Sequence, residues 1–147
     1  MITSAHLLAG ASIGLATNSV ELTIPLALIS HYIMDAIPHY NPKGIDSYKE
    51  NGLKSVNKKE LFLKIIEPII GITLTIIFAL HNPSLTHIIL IGAGFAMLPD
   101  ILTFLEWKLG TNSIINRIDK RFHRHANFYS GMIPQGLIML ACWLYIH

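Results

Sequence analysis

A largely apolar run sets the class of this chain: residues 61–80 read LFLKIIEPIIGITLTIIFAL. Lys64 and Glu67 are its charged residues, and its length matches the ~20 residues that a helix needs to cross a bilayer. The run Leu85–Leu105 is of similar length. Three shorter apolar runs lie at Ile2–Ala16, Val20–Ile37 and Met132–Ile146. The pattern predicts an all-α integral membrane bundle of four to five transmembrane helices.

The composition supports this class. Of 147 residues, 52% are hydrophobic and 14% charged, and the mean hydropathy is +0.49, which is too apolar for an ordinary soluble domain. We expect one membrane domain over residues 1–147, with a polar, Lys-rich cytoplasmic loop at about 40–59. The N-terminal run lacks the basic start of a cleavable signal peptide, so we expect it to be retained. Cys142, the single cysteine, excludes an internal disulfide and a thiolate zinc cluster.

The basic residues predict an orientation in the membrane. All eleven Lys and Arg residues lie in two stretches, Lys43–Lys64 and Lys108–Arg124. The positive-inside rule assigns both stretches to the cytoplasm. Five crossings of the inner membrane would then leave the N-terminus in the cytoplasm and the C-terminus outside. Within the second basic stretch, Thr111–Arg124 has the pattern of a helix lying at the cytoplasmic interface.

The motif SHYIMDAIPH, at residues 30–39, carries the strongest functional signal. His31, Asp35 and His39 stand at four-residue steps, and positions four apart lie on one face of a helix. We expect that helix to end at Ile37, because the residue before Pro38 disfavours helical geometry. Ionisable groups in hydrocarbon are costly unless they pair, bind an ion or face water. The spacing therefore predicts metal ligands, with a buried polar network between helices as the competing interpretation.

The predicted topology brings more polar residues to the same cytoplasmic side. They are His6, Glu67, Asp100, His123, Arg124, His125 and Gln135, whereas His81, His87 and His147 fall on the opposite side. Nitrogen and oxygen donors without cysteine suit Zn²⁺, Mn²⁺ or Fe²⁺, and there are enough of them for two ions. We expect the metal ligands to be His6, His31, Asp35, His39, Asp100 and His125.

Each remaining candidate has a predicted role in catalysis. Asp35 or Asp100 would also serve as the general base. Arg124 would grip a phosphate, with His123 and Gln135 beside it on the substrate. Glu67 is a candidate proton carrier.

Four motifs carry a resemblance to a known family. They are Ala5-His6 before Gly10, Ser30-His31 through Asp35 to Pro38-His39, Pro99-Asp100, and His123-Arg124-His125. These motifs resemble those of membrane-bound metal-dependent hydrolases, the LexA-regulated inner-membrane family and its relatives, which are similar in motif style to zinc-dependent phospholipase C. The resemblance implies a short helical bundle that uses a divalent metal, most simply zinc. It also implies hydrolysis of a phosphoester or ester in a lipid or lipid-linked substrate.

Two other functions stay open from the sequence. A membrane-embedded set of His, Asp and Glu could move protons or metal ions, with Glu67 as the carrier. A non-catalytic scaffold with a degenerate metal site could instead bind a partner through Lys43–Lys64. The expected partners are membrane lipids and the lipid-linked substrate, with no nucleic acid. A homodimer is suggested by the small residues Gly10, Gly14, Gly92 and Gly94.

Overall fold

The computed structural model describes residues 1–40, 58–109, 117–118, 121, 124 and 126–146, and over these the fold is all-helical, as predicted. The helices are α1 Thr3–Thr17, α2 Val20–Ala36, α3 Lys58–His81, α4 Thr86–Leu109 and α5 Phe128–Ile146. The Lys-rich loop predicted at about 40–59 and most of the interfacial helix predicted at Thr111–Arg124 lie outside the described residues.

Helix α1 is the centre of the bundle and packs against each of the other four helices. Its closest neighbour is α4, because both helices have glycine where they cross. A Cβ added at Gly10 would lie 2.6 Å from the Cβ of Ala96, and one added at Gly14 would lie 2.6 Å from the carbonyl oxygen of Ile88. These glycines therefore serve a helix contact within the chain, where a side chain would hold the two backbones apart.

Among the residues that the structure describes, two helices are long and apolar enough to cross a membrane. The candidate spans are Leu61–His81 in α3 and Thr86–Glu106 in α4, each with a hydropathy of 2.1. Only 17% of the first window and 33% of the second are buried against the rest of the protein, so neither is enclosed like the core helix of a soluble domain. Helices α1 and α2, with 15 and 17 residues, are shorter.

The surface and the interior have an unusual division of residue types. Large apolar side chains are exposed along α2, α3 and α5, including Ile33, Phe62, Ile65, Ile133 and Leu144. The buried polar side chains are Ser4, His6, Thr23, His31, Asp35, His39, Thr75 and Gln135. Soluble proteins seldom bury histidine and aspartate while exposing so much apolar surface.

The ends of α2 follow from local sequence. Ser19 caps its start, where the hydroxyl oxygen accepts a hydrogen bond from the Leu22 N–H at 3.4 Å. The helix ends at Ala36, and Ile37 is extended before Pro38, as the sequence predicts. Beyond the end of α2, His39 lies in the same site as His31, with both rings beside Asp35. By contrast, α3 continues through Pro68 and α4 through Pro99, so neither proline ends its helix.

Candidate metal centre

A cluster of imidazoles and carboxylates lies where the start of α1, the end of α2 and the second half of α4 meet. We call it the His–Asp cluster, and its members are His6, His31, Asp35, His39 and Asp100. The first four side chains are completely buried, and that of Asp100 is 31% exposed. Five of the six predicted ligands are thus brought together by three elements far apart in the sequence. The sixth, His125, lies outside the described residues.

Asp35 is the centre of the cluster. Its Oδ1 lies 3.3 Å from His6 Nε2 and 3.9 Å from His39 Nε2, while its Oδ2 lies 3.4 Å from His31 Nε2. His31 Nε2 is also 4.0 Å from Asp100 Oδ1. A charge-assisted hydrogen bond is normally about 2.7–2.9 Å long, so these separations are too wide for tight ion pairs. Donor atoms around a tetrahedral Zn²⁺, bound at about 2.0–2.1 Å, stand about 3.3–3.4 Å apart, which matches the two shortest distances.

Backbone carbonyls orient two of the histidines. His31 Nδ1 lies 2.8 Å from the carbonyl oxygen of Ala96, and His39 Nδ1 lies 2.8 Å from that of Ile37. A carbonyl oxygen can only accept a hydrogen bond, so a neutral ring in either position carries its hydrogen on Nδ1. The Nε2 lone pairs of both rings then face Asp35. Proteins orient metal-binding histidines by this kind of contact.

The environment of His6 is the clearest indication of a bound ligand. Both of its ring nitrogens are buried; Nε2 lies 3.3 Å from Asp35 Oδ1, and Nδ1 has no hydrogen-bond partner among the residues that the structure describes. A buried polar atom left in this state costs about 1–3 kcal/mol. Its ring stacks on that of His31, with centroids 4.2 Å apart and an angle of 25° between the planes. Donor atoms of His6, His31 and Asp100 all lie within 4.8 Å of one another, close enough to share an ion.

A positive charge already lies beside the central carboxylate. The ammonium group of Met1 is ion-paired with Asp35 Oδ1, and both groups are completely buried. The pair offsets the charge of Asp35, which would otherwise be costly to bury. The cluster therefore has the electrostatic character of a cation site.

The segment 124–126 lies against the end of α2 through backbone hydrogen bonds. The Arg124 N–H donates to the Asp35 carbonyl at 3.2 Å, and the His39 N–H donates to the Arg124 carbonyl at 3.1 Å. The Ala126 N–H donates to the His39 carbonyl at 2.8 Å. The Arg124 side chain, predicted to bind phosphate, is exposed beside the cluster. His123, predicted to lie on the substrate, is outside the described residues, so its role stays a prediction.

Helix α5 holds the segment that carries His39. The Gln135 side chain is buried, and its Nε2 donates to the Tyr40 carbonyl at 2.9 Å. One turn earlier, a Cβ added at Gly131 would lie 2.7 Å from the His39 carbonyl carbon and would also strike the Tyr40 nitrogen. Gln135, predicted to bind substrate, therefore has a structural partner, although substrate binding itself stays a prediction.

Glu67 also has a structural partner that the sequence did not reveal. Its Oε1 accepts a hydrogen bond from the backbone N–H of Ser4, in the first turn of α1. The first N–H groups of a helix lack partners within the helix, and a carboxylate there also complements the helix dipole. Glu67 thus joins α3 to the start of α1, two residues before His6. This contact does not favour Glu67 as a proton carrier.

The histidines predicted on the opposite side do not join the cluster. His81 ends α3 and His87 is the second residue of α4, and both are exposed. His147 lies outside the described residues. Besides the partner of Glu67, sequence reasoning missed the Ala96 and Ile37 carbonyls and the close approach at Gly131. The sequence has no signal for the two carbonyls, because every residue carries one.

No model of a known protein family, no curated protein and no solved structure matches this chain. The family resemblance drawn from the four motifs therefore stays a prediction, and the functional argument depends on the geometry of the cluster.

Proposed function

We propose that this protein is a membrane-embedded, divalent-metal-dependent hydrolase acting on a phosphoester or ester of a lipid or lipid-linked substrate. The observation that supports it most directly is His6, a buried imidazole whose Nδ1 has no hydrogen-bond partner among the described residues and whose Nε2 faces the Asp35 carboxylate. A metal ion would satisfy these groups together. The donor set of three imidazoles and two carboxylates suits Zn²⁺ first, and Mn²⁺ or Fe²⁺ next.

The membrane setting rests on the two candidate spans and on the exposed apolar side chains of α2, α3 and α5. We propose that the shorter helices also enter the bilayer, which gives four to five crossings with the N-terminus in the cytoplasm. At 1.5 Å per residue, α1 and α2 are only about 22–26 Å long, less than the ~30 Å hydrocarbon core. A site at the ends of these short helices would lie near the lipid headgroups, where the phosphoester bonds of lipids are found.

Charge supports the same orientation. Lys58 at the start of α3, Lys108 near the end of α4 and Arg124 belong to the two basic stretches, and Arg124 is bonded through its backbone to the cluster residues Asp35 and His39. The positive-inside rule assigns this end to the cytoplasm. The substrate would then enter from the inner leaflet.

The proposed roles of the residues follow from their burial: the buried groups would bind the metal, and the exposed groups would act on the substrate. His6, His31, His39, Asp35 and Asp100 would hold the metal, and the predicted ligand His125 is adjacent in sequence to Arg124. A bound divalent ion supplies Lewis acidity and lowers the pKa of a coordinated water. Asp100, the cluster member with access to solvent, is the better placed carboxylate to accept a proton from the attacking water and return it to the leaving oxygen. The Arg124 guanidinium would hold the phosphate group.

The test begins with metal content. Protein purified in detergent should contain a stoichiometric divalent metal by elemental analysis, and His31→Ala or Asp35→Ala should lose it. His81→Ala removes an exposed imidazole outside the cluster and should leave the metal content unchanged. The wild-type protein should then hydrolyse phospholipids in mixed micelles, and Asp100→Asn should be inactive. A wild-type protein that takes up no metal would refute the proposal.

A further inference from the structure

The His–Asp cluster contains two imidazoles, those of His6 and His31, whose rings are stacked on one another. The lone pair of an imidazole nitrogen lies in the plane of its ring, so a bound metal lies in that plane at about 2.0–2.1 Å. The rings of His6 and His31 are stacked 4.2 Å apart with their planes inclined at only 25°. An ion that lies in the plane of one of two stacked rings lies outside the plane of the other, which favours a separate ion for each ring.

We infer that the cluster is built for two metal ions bridged by Asp35, and that its substrate is an anionic phosphoester. This inference rests on the proposed metal site. The Nε2 atoms of the two stacked rings face different oxygens of Asp35, Oδ1 for His6 and Oδ2 for His31. The separation of the rings is close to the 3.5–4 Å between the ions of two-metal hydrolytic sites.

The carboxylate of Asp35 divides the donors into two subsites. Its Oδ1 faces His6 and His39, at 3.3 and 3.9 Å, and these three groups form the first subsite. Its Oδ2 faces His31 at 3.4 Å, and Asp100 lies 4.0 Å from the same nitrogen, which completes the second. Each subsite takes one oxygen of Asp35, as a bridging carboxylate requires. An ion in the first subsite would replace the Met1 ammonium as the positive charge beside Oδ1.

The charge balance selects the substrate. Two divalent ions beside two carboxylates and neutral imidazoles leave a surplus of about two positive charges in a largely buried site. A neutral carboxyl ester does not offset this surplus, whereas a phosphate group does. A phosphate can also place one oxygen on each ion, and the exposed Arg124 side chain adds a further cation beside the cluster.

The experiment counts metal ions and tests whether they are close together. Metal-free protein in detergent is titrated with Mn²⁺, and free Mn²⁺ is measured by electron paramagnetic resonance. We expect two equivalents to bind, with a low-temperature spectrum typical of two exchange-coupled ions. His39→Ala, in the first subsite, and Asp100→Asn, in the second, should each reduce binding from two equivalents to one and remove the coupling. His81→Ala is the matched control and should keep both.

The outcomes separate this inference from the proposed function. Binding of a single equivalent, or of two uncoupled equivalents, overturns the two-metal site and leaves a metal-dependent hydrolase standing. No binding by the wild-type protein overturns both. The count on the wild-type protein does not depend on any variant being folded. Inorganic phosphate added to the loaded protein should change the coupled spectrum, and an unchanged spectrum would overturn the phosphoester assignment.

Discussion

Replacing Gly131 by alanine should weaken metal binding without unfolding the bundle. Gly131 lies in α5, where the backbone of His39 and Tyr40 passes directly over it. The added Cβ would lie 2.7 Å from the His39 carbonyl carbon and 2.8 Å from the Tyr40 Cα, whereas carbon atoms pack best at about 3.5–4.0 Å. The segment would have to move by about 1 Å, and functional groups must usually be held to within about 0.5 Å.

The displacement would move His39 Nε2 away from Asp35 Oδ1, from which it is already 3.9 Å distant. We expect metal affinity to fall about 10–100-fold, as when outer contacts of a metal ligand are lost. This corresponds to about 1.4–2.7 kcal/mol of binding free energy. Global stability should change less, because the crowding, typically about 1–3 kcal/mol, is partly offset by the gain of about 0.5–1 kcal/mol when alanine replaces glycine within a helix.

Gly136→Ala provides the matched control. It makes the same substitution in the same helix, but the added Cβ would have no neighbour within 4 Å. Both variants and the wild-type protein are titrated with Zn²⁺ against a chromophoric chelator, and their thermal unfolding is followed in the same detergent. If Gly131→Ala bound Zn²⁺ as tightly as Gly136→Ala, the idea that α5 positions His39 for metal binding would be wrong.

Three further predictions test the packing and the site. Gly10→Ala should destabilise the contact of α1 with α4 by about 1–3 kcal/mol, since its Cβ would lie 2.6 Å from that of Ala96. The control Gly94→Ala meets no neighbour within 4 Å and should leave stability unchanged. Thermal unfolding of both variants in detergent compares their stabilities. Zn²⁺ at 100 times its Kd should stabilise the wild-type protein by about 2.7 kcal/mol but not Asp35→Ala, as measured by thermal unfolding with and without chelator. Glu67→Ala should lower stability by about 1 kcal/mol through loss of the cap on α1 and yet retain metal; loss of the metal by elemental analysis would contradict a purely structural role.

Local features of the chain were predictable because they depend on spacing along the backbone. Apolar runs of helical length predicted the all-α class, and Pro38 predicted the end of α2. The four-residue step from His31 to Asp35 predicted that they share a face, and in the structure they lie 3.4 Å apart. The exact helix limits were less predictable: α5 begins at Phe128 rather than at Met132, so residues ahead of the apolar run also belong to the helix.

The contacts of Gln135 and Glu67 could not be predicted from the sequence. Both were singled out because the predicted topology places them on the same side as the other polar residues, and both have a partner in the structure. The partners are backbone groups, the carbonyl of Tyr40 and the N–H of Ser4, which are identical in every residue. The pattern of side chains therefore could not show whether Gln135 and Glu67 contact a backbone group, a substrate or a transported proton.

Residue order thus determined which side chains share a face of each helix, since that depends on the 3.6-residue turn alone. Folding in three dimensions decided which faces meet. His6, in α1, reaches Asp35 and stacks on His31, both in α2, only because these two helices pack against each other in the bundle. The relative placement of helices is set by close packing among residues distant in the chain. Which histidine faces which oxygen of Asp35 could therefore be learned only from the tertiary structure.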